Sequence, residues 1–193
     1  MKEEKRPTEV KTPEFRVSFP SVFKPKFNSL SGKNEYLVDA LFPKKTTDMS
    51  VFKKALEAAC INQWGSKDNV PKKLRNPIKD GDQSELEEYS GHWYITFKAG
   101  EKYQPLVIGT KKDANGKFIE LNEKEFYGGC YARAVVNAYA YDQQVNKGVS
   151  FGLGNIQKLR DGERFGGGFA TAEDSFSDIV EESDSSEEMN DFF

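Results

Sequence analysis

The sequence predicts a mainly β protein, a small antiparallel barrel with one internal helix, followed by an acidic C-terminal segment. Three observations carry this. The chain is polar yet rich in aromatics, with fifteen Phe and eight Tyr against three Met, a balance that favours strands over a helix bundle. Apolar and polar residues alternate with the two-residue period of a half-buried strand in several separate stretches. Only one stretch has a clear helical period.

Taken in order, residues 1 to 12 are charged and expected to fray. Phe15, Val17 and Phe19 alternate with Arg16 and Ser18 as a first strand, ended or bent at Pro20. From Val22 to Phe27, Lys24 and Lys26 interleave with Phe23 and Phe27, a mixture that suits a strand-tracking groove. A turn over 29–34 leads to a second strand, 35–42, with Tyr36, Val38 and Ala40 on one side. Thr47 or Asp48 then caps a helix in which Phe52, Ala55, Leu56 and Ala59 share a face, and Gly65 ends it. Residues 66–91 are irregular and charged. Their Asp80-Gly-Asp82 lacks the remaining ligands of a calcium loop and reads as a turn.

The next strand is His92-Trp-Tyr-Ile-Thr-Phe-Lys98, with Trp93, Ile95 and Phe97 as core and Tyr94, Thr96 and Lys98 opposite. Residues 105–109 are a short apolar strand, and Asn115-Gly116 supplies a tight hairpin in a basic loop. The most informative stretch is 127–141. One face is small (Cys130, Ala132, Ala134, Val136, Ala138, Ala140), and the other carries Tyr131, Arg133, Val135, Asn137, Tyr139 and Tyr141. The second face suits stacking on nucleotide bases, but the same rings would equally fill a barrel interior with the small face beneath a helix. The residues alone leave both readings open. A last strand spans 149–159, its glycines placed where a barrel bends. Gly152-Leu-Gly154 is not a dinucleotide fingerprint, because the third glycine is missing.

Charge is unevenly distributed. Residues 173–193 hold nine acids and no base, leaving twenty-eight bases against twenty-two acids in the remainder, a body of +6. A basic body with a separable acidic end is a pattern that nucleic-acid-binding proteins use. Cys60, Cys130 and His92 offer no metal-ligand spacing and no disulfide framework, so no metal or other cofactor is expected. No Gly-Lys-Ser/Thr loop occurs. Asp113, Asp142 and Asp161 sit in separate turns rather than in the carboxylate cluster of a nuclease. The reading is therefore of a non-enzyme. No run of eighteen apolar residues and no apolar leader is present, which predicts a cytoplasmic protein without membrane attachment.

Five or six strands with one helix fit a barrel of the OB type. Tyr127-Gly-Gly-Cys-Tyr-Ala-Arg133, Lys147-Gly-Val-Ser-Phe-Gly-Leu153, Gln157 and Asp161-Gly-Glu-Arg-Phe-Gly-Gly167 together resemble the bacteriophage single-stranded-DNA-binding proteins with one OB fold and an acidic tail. The resemblance implies an OB domain over 1–165 and a Gly-rich linker with acidic tail over 166–193. It also implies binding of single-stranded DNA during phage replication and recombination, in the host cytoplasm and without catalysis. Tyr131, Arg133, Tyr139, Tyr141, Tyr94, Lys24, Lys26, Lys98 and Phe151 are then the expected DNA contacts. The tail would compete with DNA for the groove and, through Asp191, Phe192 and Phe193, dock on a polymerase or helicase partner. Its Asp-Phe-Phe ending departs from the Ile-Pro-Phe type tip of cellular bacterial proteins, which places docking on the same host proteins in question. An RNA-binding or chaperone-like OB module shares all of these features and is the alternative. Monomer and dimer both fit.

Overall fold

The computed structural model describes residues 6–29, 31–143 and 146–166. The expected acidic tail, with Asp191, Phe192 and Phe193, lies outside the described residues. Among the described residues nine strands and one α-helix follow in order: β1 (Glu9–Lys11), β2 (Phe15–Asn28), β3 (Lys33–Pro43), α1 (Ser50–Trp64), β4 (Lys79–Asp80), β5 (His92–Gly100), β6 (Val107–Lys112), β7 (Phe118–Glu120), β8 (Tyr131–Gln143) and β9 (Asn146–Arg160).

Five of these close on themselves. β8 pairs with β2, β2 with β3, β3 with β5, β5 with β9, and β9 returns to β8. The closing β5–β9 pair is parallel, Lys98 opposite Gly152, and the other four ring pairings are antiparallel. This five-stranded ring, with long hairpins β2–β3 and β8–β9, is the OB fold. β1 is added to β8, β4 to β5, and the β6–β7 hairpin to β9.

The core follows from the alternation. Tyr36, Val38 and Ala40 of β3 and Ile95 and Phe97 of β5 point inward and are buried. Phe52 of α1 enters the ring and meets Phe42 at 5.0 Å and Phe151 at 5.5 Å between centroids, both edge to face. Such pairs add about 0.5–1.5 kcal/mol each beyond the area they bury. α1 packs mainly on β8, where the small face of Ala132, Ala134 and Ala138 lets the helix approach. The face carrying Tyr131 to Tyr141 therefore points outward, and the interior-filling alternative fails.

Three expectations change, and the choice left at Pro20 between an ended and a bent strand resolves as a bend. Residues 6–12 do not fray: Val10 is buried, Thr8 Oγ1 donates to Asn137 Oδ1 at 2.8 Å, and Thr12 Oγ1 accepts the Ala134 N–H at 3.0 Å. Pro20 does not end the first strand. β2 runs on to Asn28 with register breaks after Ser18 and Ser21, and Phe19 takes a positive φ of 43° at the bend. The helix begins at Ser50 with Met49 in the cap position, one residue after Asp48 and two after Thr47. Asp48 still accepts from the Ser50 N–H at 2.9 Å, a bond that holds its carboxyl below the usual range. Phe151 is fully buried among Phe52 and Phe97, so it is a core residue and its ring cannot reach a base.

The charged stretch 66–91 is irregular but well anchored. Asp80 and Asp82 both grip the Lys44 ammonium, which also lies 4.7 Å from the Trp93 ring centroid. The cation held by Asp80-Gly-Asp82 is thus a lysine. Tyr89 is buried, and its hydroxyl donates to Asp39 Oδ2 at 2.6 Å. Burial, with the Asp39 charge added, pushes that hydroxyl far above the ordinary tyrosine range.

Candidate nucleic-acid interface

Two surfaces combine aromatic rings with cations, and β8 runs between them. The first is a groove of about 640 Å³ across the outer faces of β3 and β5, flanked by the end of β2 and by the end of β8 with the start of β9. Lys26 and Phe27 come from the end of β2, Lys98 from β5 and Tyr141 from the end of β8. The opposite wall is Arg75 to Lys79, held by two ties. Arg75 N–H donates to the Lys147 carbonyl at 3.0 Å, and Lys79 pairs with Tyr94 through β4.

Of the rings at this groove, Phe27 and Tyr139, the neighbour of Tyr141, are open, and Tyr141 is half-buried. Phe27 is 68% exposed and Tyr139 is 44% exposed. Tyr139 and Tyr141 lie 6.4 Å apart at 48° on one face of β8. Tyr141 rests on Gly148, its cross-strand partner. A Cβ at 148 would stand 2.5 Å from the Tyr141 hydroxyl oxygen and 2.9 Å from Arg75 Cβ, so only glycine lets ring and wall meet. The hairpin beneath is clasped by Asp142, which takes the Lys147 ammonium at 2.9 Å and the Trp64 Nε1–H at 3.1 Å. The Lys147 bond, then the Trp64 bond, draws the Asp142 carboxyl below its usual range.

The second surface lies at the start of β8 and the end of β9, a cavity of about 680 Å³ with Lys111, Lys124, Lys158 and Arg164 on its walls. Here the rings are closed by cations. The Arg160 guanidinium sits 3.5 Å from the Tyr131 ring centroid, Arg16 lies 4.3 Å from Phe165, and Arg164 lies 3.8 Å from Tyr127. The cations are themselves engaged. Arg160 pairs with Glu14 at 2.7 Å, and Arg16 donates to the Glu163 carbonyl at 2.9 Å. Lys158 holds Asp161 at 2.5 Å, the main reason that carboxyl is depressed.

The expected contacts therefore divide. Lys26, Lys98 and Tyr141 line the groove, with Tyr139 beside Tyr141 and Tyr94 at the rim with Lys79 5.4 Å from its ring centroid. Lys24 points elsewhere and pairs with Glu123 at 3.6 Å. Tyr131 and Arg133 belong to the far end: ten residues of strand, about 33 Å at ~3.3 Å each, separate Tyr131 from Tyr141. Arg133 forks onto Gln157 Oε1 at 2.9 and 2.7 Å. Sequence reasoning did not select Arg75 or Lys79. The basic run Lys72-Lys-Leu-Arg75 was the available signal, but no periodicity tied it to the ring.

The three carboxylates weighed for a nuclease are apart and occupied, and Asp142 lies in β8 rather than in the expected turn. Asp113 Oδ1 accepts the Asn115 and Lys117 N–H groups, and Asp142 and Asp161 hold the lysines above. Among the described residues no three His, Cys, Asp or Glu side chains converge on a point that could hold a metal ion. No described helix is long and apolar enough to cross a membrane.

Comparison with known proteins agrees with this architecture. A putative protein p50 of Acyrthosiphon pisum secondary endosymbiont phage 1 is 33% identical over 180 residues, 88% of this chain and 93% of that protein. The single-stranded DNA-binding protein from bacteriophage Enc34 in complex with ssDNA superposes with a TM-score of 0.66 at 26% identity, covering 82% of this chain and 90% of the other. The fold is also that of gp2.5, a single-stranded DNA binding protein encoded by bacteriophage T7, with a TM-score of 0.56 at 16% identity over 93% and 98% of the two chains. The model of the family described as Enterobacter phage Enc34, ssDNA-binding protein, matches residues 8–190, and the chain belongs to that family.

Proposed function

We propose that this protein binds single-stranded DNA in the groove between the two hairpins, with phosphates against Lys26, Arg75, Lys79 and Lys98 and bases stacked on Phe27, Tyr139 and Tyr141. The observation that carries the reading is the convergence of open rings and cations in one groove, in a chain whose family is named for this ligand. Stacking accepts every base, so sequence preference is weak, and duplex DNA binds less well because pairing hides the base faces. The protein coats single strands during phage replication or recombination in the host cytoplasm and catalyses nothing.

Residues 1–165 are the binding domain and 166–193 a linker and acidic tail. The tail competes for the groove at the high local concentration that tethering provides. Displaced by DNA, it offers Phe192 and Phe193 to a polymerase or helicase. Truncation after Ala172 then tightens DNA binding at low salt and abolishes recruitment. Deleting Phe192 and Phe193 alone loses only the partner.

The deciding experiment is parallel titration with single-stranded DNA, RNA and duplex of equal length. Single-stranded DNA binds tightest, with affinity falling at a slope of about −0.7 per phosphate neutralised. Tighter RNA binding would favour the RNA-binding alternative, and equal duplex binding would defeat the stacking mechanism.

A further inference from the structure

At the centre of the basic groove is an acid. Asp39 of β3 lines it beside Thr96, its partner on β5, between the rows that carry Lys79 and Lys98. Its carboxylate is fixed on both sides: Tyr89 Oη donates to Oδ2 at 2.6 Å and Thr96 Oγ1 donates to Oδ1 at 2.6 Å. The buried Tyr89 ring prevents it from swinging away. A carboxylate offers about four lone-pair sites, so each oxygen keeps one for a ligand.

Such a group is a poor floor for a phosphate, which it repels, and a good floor for a donor-bearing base edge. Phosphates are thereby held to the rim cations while bases turn toward Asp39. Of the four bases, guanine presents two adjacent donors, N1–H and the N2 amine, matched to the two oxygens of a carboxylate. Cytosine offers its N4 amine, a recognised partner for Asp. Thymine offers a single N–H flanked by two carbonyl oxygens that a carboxylate repels.

We propose that Asp39 is a base-reading residue, which gives the groove a preference for guanine over thymine on top of sequence-tolerant stacking. The inference rests on the groove being the single-stranded DNA site.

The test compares three strands of equal length against the full chain: oligo-dT, alternating dT–dG, and alternating dT–dI. Alternation avoids the guanine runs that self-associate and lets any register place a purine over Asp39. Inosine keeps the purine ring for stacking and lacks only the N2 amine. The dT–dG strand is expected to bind about fivefold or more tighter than oligo-dT, with inosine losing a measurable part of that gain. Asp39→Asn should abolish the difference between guanine and inosine, and should tighten oligo-dT binding because a negative charge has left the groove. Equal affinity for dT–dG and dT–dI in the wild-type protein would overturn the proposal without any variant, as would a guanine preference that survives Asp39→Asn. Failure of all three strands to bind would instead defeat the DNA reading itself.

Discussion

Tyr131 and Tyr141 stand on the same face of the same strand, ten residues apart, yet their surroundings are opposite. Tyr131 is covered at 3.5 Å by the guanidinium of Arg160, which Glu14 holds in place. Tyr141 lies on a glycine beside an open groove, with exposed Tyr139 next to it. A ring whose face is taken by a cation stabilises the protein, whereas a ring with a free face can take a base. Whether an aromatic belongs to the fold or to the site is thus decided by which side chains the neighbouring strand brings over it.

This contrast can be broken or sharpened by substitution. The largest effect is expected inside the ring: Phe151→Ala should cost about 3–5 kcal/mol of stability. Its DNA affinity, measured at a temperature where the variant remains folded, should be unchanged. Tyr141→Ala and Tyr139→Ala come next, each losing about 1–3 kcal/mol of single-strand affinity with little change in melting temperature. Tyr131→Ala should do the reverse, losing about 1 kcal/mol of stability with the cation–π contact and leaving short-strand affinity intact. If Tyr131→Ala weakened binding of a short strand as much as Tyr141→Ala, the division between the two ends would collapse. Smaller still, Lys98→Ala should reduce the magnitude of the salt slope by about 0.7, the share of one phosphate.

Acid should act on both ends together. Asp142 beneath the groove and Asp161 beside Tyr127 have folded-state pKa values depressed below their unfolded ones by lysine partners. Their contribution is therefore complete from about one pH unit above the unfolded carboxylate value of about 3.9 and is lost as pH falls through the lower folded values. Thermal melts from neutral pH downward should stay level to about pH 5 and then decline, and Asp142→Asn should shallow that decline.

Much of the ring was legible in the sequence because a period of two is imposed by the pleat itself. Tyr36, Val38 and Ala40, or Ile95 and Phe97, are inside for no reason beyond alternation. The two faces of the stretch 127–141 were equally legible, but which of them is covered was not: the packing of α1 on the side of Ala132, Ala134 and Ala138 decided it. The site was only half legible. Tyr131 and Tyr141 are indistinguishable without knowing that Arg160, twenty-nine residues beyond Tyr131, pairs across from it. Phe151 looked like any strand aromatic until the inward face of β9 was known. β1 was missed because a three-residue strand with one buried Val10 carries no period to detect. Arg75 and Lys79 reach the groove by pairings of an irregular segment, and nothing local to residues 66–91 specifies those pairings.

That segment makes one wall of the groove without belonging to the ring. It is fastened at Gly148 through Arg75, at Tyr94 through Lys79, and at Lys44 through Asp80 and Asp82. Between these rivets the chain is free to vary in length, since doubling a loop adds only about 0.6 kcal/mol of closure cost. The wall is therefore an exchangeable part. A relative or an engineered variant can widen, narrow or recharge the channel by swapping the stretch between α1 and β5, and the five-stranded scaffold underneath need not be redesigned to receive it.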